Sequence, residues 1–224
     1  MSHVRLPLEE FIYNPPKEDL KIIHKDDDLL VLDKPSGLLS VPGRKKEHQD
    51  SLELRAQAEF PEARIVHRLD EPTSGILVFA MNREAHRNIG LQFERRKTKK
   101  VYIARVWGHV EQETGHIDLP LICDWPNRPL QMVDHENGRS AQTDWEVIKR
   151  EKYHTRLALY PITGRSHQLR VHMKELGHPI LGDEFYAHDD AYAEEKRLQL
   201  HAHKLMIYHP KDGAQTWFES ECPY

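Results

Sequence analysis

Short apolar and alternating runs dominate the chain. Leu20-Lys21-Ile22-Ile23-His24 and Leu29-Leu30-Val31-Leu32-Asp33 flank the Asp26-Asp27-Asp28 turn and predict a β-hairpin, which Pro35 and Gly37 terminate. A second block, Ile65-Val66, runs into His67-Arg68-Leu69-Asp70, pauses at Pro72-Thr73-Ser74-Gly75 and resumes as Ile76-Leu77-Val78-Phe79-Ala80. Asp70 is thereby placed on a loop between two strands. Behind Asn82, a good N-cap, Ala85, Ile89 and Phe93 recur at four-residue spacing and predict a helix to about residue 96, whose other face is arginine and histidine. Further strands are predicted at 101–107, 116–121, 142–148, 155–162, 204–208 and 215–218. A second helix, 166–176, carries Leu169, Met173 and Leu176 on its core side and stops at Gly177 and Pro179. Strands outnumber helices without alternating regularly with them, which argues for an α+β fold on a mixed, mainly antiparallel sheet with flanking helices.

A length of 224 residues suits one hydrophobic core without disulfide staples, read here as an N-terminal arm, 1–19, ahead of a single domain, 20–224. The longest apolar run, Ile76 to Met81, is six residues. A spanning helix needs about 20, so no membrane partner is expected, and without a secretory leader the expected location is cytoplasmic. Cys123 and Cys222 belong to no Cys-x-x-Cys pair and are expected to be reduced and buried.

Net charge is −4 and the pI near 6.5, so any surface for a polyanion has to be local. The charges are segregated accordingly. Seven acids between Glu9 and Asp28 face only Lys17, Lys21 and Lys25, whereas eight bases between Arg83 and Arg105 face only Glu84 and Glu94. Phosphate-binding Gly-Lys loops, dinucleotide fingerprints, nucleophile elbows and His-Glu-x-x-His are all missing. Among sixteen histidines, His201-x-His203 and His167 with His172 are the spacings that invite a metal, but neither pair has an obvious third ligand, and hydrogen-bonded histidines are the expectation.

Three candidates remain: Asp70, Tyr102, and Arg165 with Arg170. Each has an ordinary reading, as a turn cap, a strand aromatic and solvated helix-face cations. If Asp70 lay in a cleft, desolvation would raise its pKa above the reference of about 3.9, and an arginine in reach would hold it ionised. An Asp–Arg pair beside a tyrosine is a plausible cofactor-free acid/base or nucleophilic site.

His67-Arg68-Leu69-Asp70-x-x-Thr73-Ser74-Gly75 resembles the catalytic motif of the RluA-type pseudouridine synthases. Lys34-Pro35-Ser36-Gly37, Tyr102-Ile103-Ala104 and Gly164-Arg165-Ser166-His167-Gln168-Leu169-Arg170-Val171-His172 resemble three further motifs of that family, in the same order, and the likeness continues through Leu176 to Asp183. It spans about 20–209. It implies the pseudouridine synthase fold, with no S4-type domain ahead of the core, and isomerisation of uridine in structured RNA without metal or cofactor. The segments from Leu39 to Arg44 and from Leu119 to Pro129 narrow the likeness to members acting on both large-subunit (23S) ribosomal RNA and tRNA anticodon stem-loops. No obligate protein partner is implied.

By the same resemblance Asp70 is the essential carboxylate, as nucleophile or as base. Arg170 pairs with it, and Tyr102 stacks on the target base and helps remove its C5 proton. Arg68 fills the place of the flipped uridine, Leu169 walls the base, and His67 and Arg165 contact substrate. Arg95, Arg96, Lys99 and Lys100, with Lys97, are expected to track the RNA backbone. Two alternatives stay open: an RNA-binding module without catalysis, and a metal-dependent hydrolase drawing on the histidines.

Overall fold

The computed structural model describes residues 12–224; residues 1–11, most of the expected arm, lie outside them. In chain order the elements are β1 (Lys21–Lys25), β2 (Leu29–Lys34), α1 (Leu52–Glu59), β3 (Arg64–Ile65), β4 (Ser74–Ala80), α2 (Arg83–Glu94), β5 (Lys99–Trp107), β6 (Thr114–Asp118), β7 (Leu121–Cys123), β8 (Gln131–Val133), β9 (Gln142–Arg150), β10 (His154–Pro161), α3 (Gln168–Glu175), α4 (Asp189–Ala193), β11 (Leu200–Tyr208) and β12 (Gln215–Glu219). The class is α+β with a mixed, mainly antiparallel sheet, as the pattern predicts. None of the described helices is long and apolar enough to cross a membrane. Two compact units are distinguished. Among the described residues, one comprises 101–200; the other combines 12–100 with His201–Tyr224.

In the second unit β2 pairs antiparallel with β1 and β4, while the start of β4 pairs in parallel with β11 at Ser74–His201 and Gly75–Ala202. All seven residues of β4 are buried, which its unbroken apolar run anticipates. Gly75, at φ 111°, is required there: a Cβ would meet the carbonyl oxygen of Ala202 at 2.3 Å. The hairpin turn is pinned by Asp26, whose Oδ1 accepts the N–H of Asp28 and of Leu29 at 2.8 Å while Oδ2 meets Nε2 of His24 at 2.5 Å and Nε2 of His209 at 3.0 Å. Burial works to raise this carboxyl, but those hydrogen bonds outweigh it and hold it well below the usual carboxylate range.

α2 starts as predicted, with Asn82 Oδ1 accepting the N–H of Ala85 at 2.8 Å. It ends one turn's fraction early, at Glu94, in a left-handed cap. Arg96, at φ 54°, donates its N–H to Phe93 O, and Lys97 donates to Gln92 O. That position normally takes glycine, and a side chain there costs roughly 1–2 kcal/mol.

In the first unit β5, β10, β9 and β6 form an antiparallel order, with Tyr102 opposite Leu159. The strand expected at 116–121 divides at Pro120. Residues up to Asp118 pair with β9, and Leu121–Cys123 pairs instead with β8. α3 begins at Gln168, two residues later than predicted, because His167 takes φ 52° and lies outside the helix. Gly177, at φ 89°, closes it, with the N–H of His178 on Met173 O at 3.0 Å. The two thiols are free, but they are half-buried where full burial was expected.

Candidate active site

Asp70 follows buried Leu69 and is itself half-buried; its carbonyl accepts the N–H of Thr73 at 3.1 Å, closing a turn through Glu71 and Pro72. The loop after β2 grips the backbone on both sides of Asp70. Ser40 Oγ donates to Leu69 O at 2.6 Å and accepts the Leu69 N–H at 3.1 Å. Lys34 Nζ and the Gly37 N–H both reach Glu71 O, at 2.8 and 3.0 Å, and Ser36 Oγ donates to Pro72 O at 2.7 Å. Lys34 is fully buried, with two further carbonyls, Pro35 O at 2.9 Å and Leu38 O at 2.6 Å, around its ammonium. A buried cation solvated by carbonyls locks one loop onto the other. The Lys-Pro-Ser-Gly motif therefore has a physical task that its spacing alone did not reveal: it fixes the backbone that carries the carboxylate.

Replacing Lys34 by methionine keeps the volume and removes the ammonium from Pro35 O, Leu38 O and Glu71 O, the last of which keeps the Gly37 N–H, at a cost of roughly 3 kcal/mol. Denaturant unfolding should show that loss. Turnover on RNA should fall by a larger factor than RNA affinity, because the Asp70 loop loses its grip; an unchanged unfolding midpoint would contradict the clamp.

His67 was expected to touch substrate. Its Nε2 accepts the N–H of Val78 at 3.0 Å, and its ring stacks on Phe93 with centroids 4.6 Å apart. Burial, and secondarily the Lys100 cation, push its pKa down to about 3, so the ring is neutral with its proton on Nδ1. Lys100 is half-buried, and burial followed by the nearby Arg96 cation pushes it down to about 8. Arg68, Arg95, Arg96 and Lys99 are exposed.

In the first unit Tyr102 is half-buried against the cluster formed by Ala104, Val106, Leu157, Leu159, Leu169 and Met173. Leu169, expected as a wall for the base, is thus in the same core patch as Tyr102 and only 7% exposed. Arg165 is half-buried and donates Nε to Ser140 O at 3.1 Å. Arg170 is almost fully buried. Its Nε and Nη2 meet Asp183 Oδ2 and Oδ1 at 2.8 and 2.6 Å, a bidentate pair, and Phe185 and Tyr186 lie 4.8 and 5.2 Å from the guanidinium carbon. Asp183 Oδ1 also accepts the N–H of Phe185 and of Tyr186, so one carboxylate places both rings and the guanidinium. His167 completes the cage through Nδ1 to the Tyr186 hydroxyl at 2.7 Å. The sequence reading gave neither Asp183 nor His167 a role at the site; Asp183, thirteen residues from its partner, has no local signature.

The histidine pairs do not assemble ligands. His172 bonds Thr143 and Leu119 O, and His201 lies between Ser74 Oγ and Ser220 O. Among the described residues, Asp26, Asp28 and His209 do bring ligand atoms within 4.8 Å of one another. The Asp26 carboxylate is already engaged by two imidazoles and two backbone N–H groups, as a turn clamp.

Residues 28–175 match the model of the RNA pseudouridylate synthase family, and the chain belongs to that family. It is an enzyme that isomerises uridine to pseudouridine within RNA. It is 57% identical over 205 residues to the dual-specificity RNA pseudouridine synthase RluA of Vibrio vulnificus strain CMCP6, covering 89% of this chain and 82% of that one. It is 54% identical over 214 residues to the protein of the same name from Escherichia coli strain K12, covering 95% and 98%. Among solved structures it resembles human RNA pseudouridylate synthase domain containing 1, with a TM-score of 0.79 at 28% identity over 94% of this chain and 86% of that one.

Proposed function

We propose that this enzyme has two kinds of substrate, a large-subunit ribosomal RNA hairpin and the anticodon stem-loop of tRNAs, and that Asp70 is its essential carboxylate. The observation that carries the first part is the 54% identity over 98% of the length of a relative named as dual-specificity. The reaction breaks the N1–C1′ bond of uridine and forms C5–C1′; a proton leaves C5 and one is gained at N1. Reactant and product are isomers, so the chain's own side chains suffice for the proton transfers.

On this reading Asp70 opens the reaction at the sugar or the base, Tyr102 stacks on the turned base and assists at C5, and Arg170 supplies the cation. Arg68 occupies the gap left by the extruded uridine, and Arg95, Arg96, Lys99 and Lys100 follow the phosphates. The rigid backbone around Asp70 supports it, because a group that attacks a flipped nucleotide has to be in place before the base arrives.

Tritium release from [5-³H]uridine in an anticodon stem-loop and in a ribosomal hairpin tests the proposal. Release from both RNAs, unchanged by EDTA, is the expected outcome. Release from one alone sinks dual specificity, and loss of release with chelator returns the metal-dependent reading.

A further inference from the structure

α2 has two unlike flanks. On one, Phe93 stacks on His67, three residues from Asp70. On the other, Asn88, Leu91, Gln92 and Arg95 join Lys97 and Tyr208 around a hollow of about 460 Å³ for which the reaction has no use. The setting of Tyr208 is prearranged. Gln92, buried on α2, donates Nε2 to Tyr208 O at 2.6 Å and accepts the Tyr208 N–H on Oε1 at 2.8 Å; its second amide hydrogen goes to Asn88 Oδ1 at 2.8 Å. This clamp fixes the end of β11 while the Tyr208 side chain stays 40% exposed. Arg95 and Lys97 are exposed and form no ion pair among the described residues. Between them stands Arg96, in a backbone conformation where glycine is cheaper, so three consecutive cations end the helix.

An anchored, half-exposed aromatic flanked by two uncompensated cations has the chemistry of a base platform with a phosphate clamp. We propose that this hollow takes one unpaired nucleotide of the RNA substrate lying outside the target loop, its base on Tyr208 and its phosphate between Arg95 and Lys97. The width of α2, about 10–12 Å with side chains, separates the hollow from His67, a span that a few nucleotides of single strand can cover. The inference rests on the reading of this chain as an enzyme of stem-loop RNA.

The test compares a minimal stem-loop with the same stem-loop carrying single-stranded flanks, by fluorescence anisotropy, for wild type, Tyr208→Ala and Tyr208→Phe. Wild type and Tyr208→Phe should bind the flanked RNA about tenfold more tightly than the minimal one. Tyr208→Ala should lose that gain and keep its affinity for the minimal stem-loop, and a 5-iodouridine in the flank should crosslink to Tyr208 in wild type. No gain in wild type, or an equal gain in Tyr208→Ala, overturns the proposal. So does tight binding of free uridine 5′-monophosphate that depends on Tyr208 without any flank effect, which would make the hollow a mononucleotide site. Tritium release from the minimal stem-loop by wild type is read in parallel, so failure of the pocket is distinguished from failure of the substrate assignment.

Discussion

Asp70→Asn should abolish tritium release from uridine-labelled RNA, a loss of about 10²- to 10⁴-fold or more, while the protein still folds and still binds the stem-loop. The substitution preserves shape and leaves in place the bonds that grip the loop through the backbones of Leu69, Glu71 and Pro72. The rate loss is therefore chemical and not conformational. Single-turnover kinetics with anisotropy on the same preparation separates the two. An Asn variant that releases tritium at the wild-type rate would remove Asp70 from the mechanism, and one that loses RNA binding in equal measure would make it a binding group.

The second large effect lies at Asp183. Its ion pair with Arg170 is sealed from solvent, with 1% and 0% of the two side chains exposed. Breaking a buried pair by deleting one partner costs about 3–5 kcal/mol. Asp183→Ala should lower the melting temperature by roughly 6–20 °C and disorder the seats of Phe185 and Tyr186, whose N–H groups share the same carboxylate oxygen. Asp183→Asn keeps an oxygen for those two N–H groups and should fall between alanine and wild type. A melting temperature for Asp183→Ala within about 1 °C of wild type would show that the pair is not holding the fold.

Most of the fold is legible because its signals are local. The Asp26 turn between two apolar runs, the Asn82 cap and the Gly177 stop each act within a few residues, and the structure places the hairpin, α2 and α3 accordingly. α1 escapes for the opposite reason: only Leu52 and Ala56 are buried on it, while Leu54 is 43% exposed, so its periodicity is faint. The strand at 116–121 was read through Pro120, whose missing N–H ends one ladder and lets another begin. At the candidate site, residue types in motifs are what single out Asp70, Tyr102 and Arg170 as candidates. The supports of two of these come from afar, Lys34 reaching Glu71 across 37 positions and Asp183 reaching Arg170 across 13. Such pairings leave no periodic trace. The left-handed conformations of Arg96 and His167 are invisible for a similar reason, since neither residue type announces a positive φ.

The parallel seam between Ser74 and His201 bears on how the molecule is made. The unit that carries Asp70 draws strands β11 and β12 from residues beyond 200, and the Ser74 hydroxyl meets His201 Nδ1 across 127 positions. During synthesis the aspartate motif leaves the ribosome long before the segment that completes its sheet. The nascent chain consequently holds β4, an unbroken apolar strand that β2 and β3 can already pair, with its Ser74–Gly75 end open until residues 201 and 202 are made. The carboxylate motif therefore sits in a sheet that residues 201–219 complete, and in the interval the open end of β4 is where another strand can pair.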